Sequence, residues 1–302
     1  MKRMIHLLIA GCIVILAGCK GAARNDRPDE NDSLSARQEI AYTDPFGIFS
    51  RQDTVTETIP DSIEKTYSDK EYEAIQDSIW KRRKALETMN PKDPLVLNII
   101  GSGIGNNGIR VDLSVNTPYW RQQFREKILN SPAIHFRGPE HPEEIEISNL
   151  ADAAVQDSLG IFLQPEYSVF PIDGNNNHMM LYNRAGAMIW FGADYIIGYQ
   201  GPDGKWYYLP GLENWTGEGY GVDNDNEGYK LDIQLLPELN RIRPGVFRYY
   251  KSIDIEGRPQ PTVFLVSEFR VTDNPEELKQ AKKLDAPAKN NKGSFAPRVL
   301  YQ

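Results

Sequence analysis

A mainly β chain ending in an antiparallel β-sandwich is what this sequence predicts, and three observations predict it. Residues 178 to 271 break into short runs rich in Ile, Val, Tyr, Phe and Trp: HMMLYN, AMIWFG, DYIIGYQ, KWYYLP, YKLDIQLLPEL, VFRYYKSIDI and TVFLVSEFRV. Turn-formers separate the runs, at Asn183 to Gly186, Gly192-Ala193-Asp194, Gly201-Pro202-Asp203-Gly204 and Arg243-Pro244-Gly245. The spacing is that of roughly seven strands in ~100 residues, the signature of a sandwich. The only two cysteines, Cys12 and Cys19, precede all of this, so no disulfide staples the sheets and packing alone must hold them.

The amino terminus reads as an export signal over residues 1–18. Lys2 and Arg3 form a positive start, and Ile5 to Ile15 form an apolar core too short to span a bilayer, which needs about 20 residues. Leu16-Ala17-Gly18-Cys19 follows and resembles the bacterial lipobox. That resemblance implies cleavage before Cys19, a diacylglyceryl group on its sulfur and a membrane-held mature chain. Lys20, rather than Asp, after the cysteine points to the outer membrane by the same resemblance.

Residues 19–67 read as a disordered tether, poor in apolar side chains. Tyr42 to Phe49 interrupts it and is aromatic enough to dock on something folded. Asp followed by Ser or Thr and an aliphatic residue recurs with the hydroxyl at Ser33, Thr54, Ser62, Ser78 and Ser158. The pattern resembles the O-glycosylation signal of exported Bacteroides-type proteins. A polar linker explains it equally well.

Residues 68–90 read as a helix. Ser68 and Glu71 make a capping box, Tyr72, Ile75 and Ile79 recur at helical spacing, and Asn90-Pro91 ends it. The run Lys81-Arg82-Arg83-Lys84 reads as a solvated helix face. Residues 94–164 read as a small α+β module, β-β-α-β-β. Its strands are Leu95 to Ile100, Ile109 to Val115, Ala133 to Phe136 and Glu144 to Ile147. Thr117-Pro118 opens its helix, with Trp120, Phe124 and Ile128 facing inward. Gly101 to Gly108 reads as a loop. It lacks the G-x-G-x-x-G spacing, the following helix and the lysine of a phosphate cradle. Residues 165–272 are the sandwich and 273–302 a polar tail, with a short helix from Pro275.

The order Leu-Tyr-Asn183, Ile-x-Phe-Gly192, a Trp followed by Leu209-Pro210, a late Pro244-Gly-x-Phe-Arg248 and a closing Glu268-Phe269 strand resembles a bacterial immunoglobulin-like domain. Such domains occur in small envelope lipoproteins. The resemblance implies a fold and no catalytic set.

Function classes narrow from the same residues. The net charge of −8 and the absence of a basic stripe exclude a nucleic-acid surface. His135, His141 and His178 have no serine elbow and no thiol beside them, so the expectation is a non-enzyme without a cofactor. Asp223, Asp225 and Glu227 form half of a calcium loop, but Ile233 stands where the closing glutamate would be. Trp190, Trp206 and Trp215 are candidate ligand-facing aromatics. The expected role is a lipid-anchored envelope protein that binds protein or makes structural contacts. Alternatives are a glycan-recognition module, which an exposed coplanar tryptophan pair would favour, and a carboxylate hydrolase.

Overall fold

The computed structural model describes residues 44–50, 55–60, 66–174, 177–211, 217–257 and 262–288. The signal segment, Cys19, Ser33, Thr54, Ser62 and Trp215 lie outside them.

The chain is mainly β, as the runs require. Helix α1 (Asp69–Met89) starts at the Ser68–Glu71 capping box and buries Ile79. Helix α2 (Pro94–Asn98) stands where a strand was expected. Asp93 accepts a hydrogen bond from the Leu95 N–H at 2.8 Å, and Pro94 sits at the first helical position. These two start signals override the apolar run. Strand β1 (Ile99–Gly105) then pairs antiparallel with β2 (Gly108–Leu113), and Gly105 faces Gly108 across a two-residue Asn106-Asn107 turn. The expected glycine loop is therefore mostly strand, its Gly101 and Gly103 having open space above them.

Helix α3 (Pro118–Lys127) covers this sheet with Trp120 and Phe124, and β3 (Ile134–Arg137) adds to β2 in parallel. Ile109, Val111, Leu113 and Val115 face inward, with no exposed surface. Gly138 follows β3 with φ +136°, and a Cβ there would lie 2.0 Å from the Leu113 carbonyl oxygen. Only glycine allows this approach, which seats Pro139 against Asn116 through a 2.7 Å backbone hydrogen bond. Gly138→Ala is expected to cost at least about 2 kcal/mol, read as a lower urea midpoint at unchanged slope.

The next elements cut across the expected module boundary. Strand β4 (Leu150–Ala151) joins the large sheet of the sandwich, and Glu144 makes an isolated bridge to Tyr207 instead of a strand. Helix α4 (Ala153–Leu159) was not expected. Asp152 caps its start, and Gly160 in the left-handed region, φ 68°, ends it.

The strands β5 (Ile161–Pro165), β6 (Phe170–Pro171), β7 (His178–Asn183), β8 (Ile189–Gly192), β9 (Ile196–Gln200), β10 (Trp206–Tyr208), β11 (Gly219–Val222) and β12 (Tyr229–Asp232) follow. After the short helix α5 (Pro237–Asn240) come the long strands β13 (Gly245–Ile255) and β14 (Val263–Thr272), then helix α6 (Pro275–Lys279). The large sheet runs β10-β9-β13-β14-β4. In it β6 also pairs with β14, and β8 joins β13 to β11. The small sheet runs β12-β7-β5. Met179, Leu181 and Leu231 of the small sheet share one core with Phe247, Tyr249, Leu265 and Phe269 of the large one. Period-two alternation puts Phe247, Tyr249, Lys251, Ile253 and Ile255 of β13 on the inner face.

Two further segments pack on this body. Residues 44–50 dock on the sandwich: Phe46 stacks on Phe247 with ring centroids 5.9 Å apart and meets Tyr199 edge-on at 5.2 Å. The Asp44 carboxylate accepts from the N–H groups of Ile48, Phe49 and Ser50, each at 2.8 Å, and so shapes the strap. Residues 55–60 lie along α3, where Glu57 pairs with Arg121 and Arg125. These described parts of the expected tether are thus seated on the fold. At the other end, Ser168 and Lys282 exchange two hydrogen bonds, so residues 282–284 run beside β5 and are no loose tail.

Candidate functional site

A cleft of about 350 Å³ opens where the docked strap, the small module and the large sheet meet. Phe49 comes from the strap, Ser114 and Pro139 from the module, and Tyr195, Ile196, Ile197, Tyr208, Leu209 and Pro210 from β9 and its neighbours. Glu143 completes the lining. Its backbone is fixed: Tyr208 donates its N–H to the Glu143 carbonyl at 2.9 Å, and the Ile145 N–H donates to the Trp206 carbonyl at 2.8 Å. The Glu144–Tyr207 bridge makes Glu143 and Tyr208 cross-strand neighbours on one face. Burial first, and then the Glu143 charge, push the Tyr208 phenol up, so it stays a neutral hydroxyl. Tyr195 is held flat by stacking on Tyr249, with centroids 4.7 Å apart. The walls are largely apolar, with Glu143 and Tyr208 neighbours on one face and Ser114 also in the lining, the composition of a small-molecule site.

A second cluster gathers charge at the end of β5. Glu166, its side chain 4% exposed, takes His178 Nδ1 at 3.1 Å, Lys230 Nζ at 3.2 Å and Lys283 Nζ at 3.2 Å. His178 Nε2 lies 3.4 Å from Asp232 Oδ1. The imidazole spans two carboxylates. The cluster ties β7, β12 and residues 282–284 to one carboxylate. Burial works to raise the Glu166 pKa, but hydrogen bonds and charge from Lys230 and Lys283 outweigh it and hold it lowered. Its stabilising effect is therefore present above the ordinary carboxylate value and is lost as pH falls through the lowered one. Glu166→Gln should cost about 1–2 kcal/mol at pH 7, because both lysines are more than half exposed. Urea unfolding at pH 7, 4.5 and 3 should show that difference shrinking with acid.

The other expected residues fall as follows. His135 is exposed, with Nε2 3.0 Å from the Asn107 carbonyl, and His141 is exposed in its turn. Trp190 is 47% exposed and lies flat on Gly221, where a Cβ would meet the ring at 2.9 Å. Trp206 is covered by the Arg248 guanidinium, 4.1 Å from its ring. Both are on the outer face of the large sheet, but Trp190 is opposite Asp254 while Trp206 is level with the start of β13. At ~3.3 Å per residue they stand more than roughly 20 Å apart, so these two form no platform.

Asp223, Asp225 and Glu227, the calcium candidates, lie in the loop between β11 and β12. Among the described residues no three His, Cys, Asp or Glu side chains gather to hold a metal. The loop's asparagines instead bind protein: Asn224 Oδ1 accepts from the Gly186 N–H at 2.8 Å and Asn226 Oδ1 from the Asn183 N–H at 2.7 Å. Ser78 and Ser158 each turn their hydroxyl back onto a helix carbonyl, of Ala74 and Val155. The basic run of α1 is only partly solvated. Arg82 donates to the Ile128 carbonyl and Arg83 to the Ile99 carbonyl, both at 2.9 Å. Among the described residues no helix is long and apolar enough to cross a membrane.

Sequence reading missed the cleft, because its lining comes from five separate stretches. The buried Glu166 was missed too. A lone Glu beside Pro165 at a strand end carries no periodic signal.

Comparison with known proteins bears on the module. Residues 70–139 match the model of a family described as Pro-like C-terminal domain. The matched stretch takes in most of α1 and runs through β3 to Pro139, at the edge of the cleft. A search of curated proteins finds no match.

Proposed function

We propose that this chain is a lipid-anchored envelope protein, held at the outer membrane through Cys19, whose immunoglobulin-like sandwich has a binding role and no catalytic one. The composite cleft is the observation that carries the reading. It is the place where apolar walls meet the polar residues Glu143, Tyr208 and Ser114. The strap adds support, since Phe49, one wall of the cleft, lies only a short run of chain after the lipid attachment point. Occupancy would thus sit next to the membrane-proximal segment.

The anchor is tested by feeding an alkyne-tagged fatty acid to bacteria making the full chain. The wild type should carry the tag and pellet with membranes, and Cys19→Ala should carry none. An untagged wild type in the soluble fraction would refute the anchor.

A further inference from the structure

We propose that the cleft takes a small organic amine, its ring or short alkyl body among Phe49, Tyr195 and Leu209 and its ammonium against Glu143 and the Tyr208 hydroxyl. This rests on the reading of the cleft as a ligand site and names its ligand class.

Size comes first. A cavity of roughly 150 Å³ holds a benzene ring. About 350 Å³ has room for a ring with a short side chain and a head group. Charge comes second. Among the described residues no lysine, arginine or histidine lines the cleft, and Glu143 is the one charged side chain in its lining. An anion would meet only like charge there, and a neutral guest could gain a hydrogen bond from the carboxylate but no ion pair. A cation gains a partner at the rim of an apolar wall, where water screens less than in bulk. Position comes third. The two backbone hydrogen bonds between residues 143–145 and β10 hold Glu143 beside Tyr208, so the pair exists before a ligand arrives.

The test uses three probes of matched shape on the full mature chain: 2-phenylethylamine, 2-phenylethanol and phenylacetate, titrated calorimetrically. The amine should bind saturably and more tightly than the alcohol, and phenylacetate least. Glu143→Gln should weaken the amine at least about tenfold, the worth of one charge-assisted hydrogen bond, and weaken the alcohol clearly less. Phe49→Ala should weaken amine and alcohol together. Glu143 is exposed, so its variant should keep the circular dichroism of the parent.

If the alcohol binds as well as the amine, or Glu143→Gln leaves the amine untouched, the ligand class is wrong and the cleft remains a site. If none of the three binds at millimolar concentration, the reading of the cleft as a site falls with it.

Discussion

Replacing Glu57 by Ala is expected to lower the unfolding free energy by about 3–5 kcal/mol. Glu57 Oε2 lies 2.6 Å from Arg121 Nε and Oε1 lies 2.9 Å from Arg125 Nε. The three side chains are 10%, 18% and 7% exposed, so this is not a surface pair. Arg121 would keep Glu140 at 2.9 Å and the Asn116 carbonyl at 2.6 Å. Among the described residues Arg125 would keep the Phe136 ring, 5.0 Å away, and a 3.4 Å contact to the Ser131 carbonyl. A cation left buried without its carboxylate is the costly outcome. Glu57→Gln retains acceptor geometry and should fall between the two. Urea unfolding of the three proteins checks the order, and a loss below about 1 kcal/mol for Glu57→Ala would mean the arginines simply swing into water.

Stability is expected to rise by about 2 kcal/mol between pH 8 and 10, and Lys251 is the cause. Its side chain points into the core from β13, 1% exposed, and is centred 5.1 Å over the Phe191 ring. Its ammonium donates to the Gly192 carbonyl at 2.6 Å and to the Asp194 carbonyl. Burial pulls its pKa down from 10.5 to about 8, against the smaller upward pull of Asp194. The unfolded chain therefore holds a proton that the folded chain has released between those values. Stability then increases with pH in that window. Above pH 10 the trend reverses. Burial pushes the phenols of Tyr195, Tyr199 and Tyr249 up, so they ionise more readily in the unfolded chain. Denaturation across pH 7 to 11 should show the maximum near pH 10, and Lys251→Met should flatten the rising side. An unchanged slope in the variant would move the cause elsewhere.

How much of this was legible beforehand differs by element. Helix α1 was read from its capping box to its final Asn90, because a local hydrogen-bond motif and a helical stripe agree there. The inward set Ile109, Val111, Leu113 and Val115 was read from alternation alone. By contrast, Leu95 to Asn98 was misread because an apolar run of that length suits strand and helix alike, and Asp93-Pro94 decided between them. The glycines of β1 were misread as a loop because glycine is a poor strand former in isolation. Pairing with β2 supplied what propensity did not.

Local chemistry in the chain was enough to determine a β-rich body without a disulfide, its turns, its capped first helix and an aromatic strap that must dock. Alternation, caps and turn residues act over a few neighbours, so they can be read in a line of letters. Which surfaces meet was decided only by the tertiary structure. Phe49, Ser114, Glu143 and Leu209 are far apart in sequence and share one cleft, and Glu166 finds lysines from two different segments. Such sites depend on long-range packing and on where burial strips water from a charge, and neither quantity has a period in the sequence.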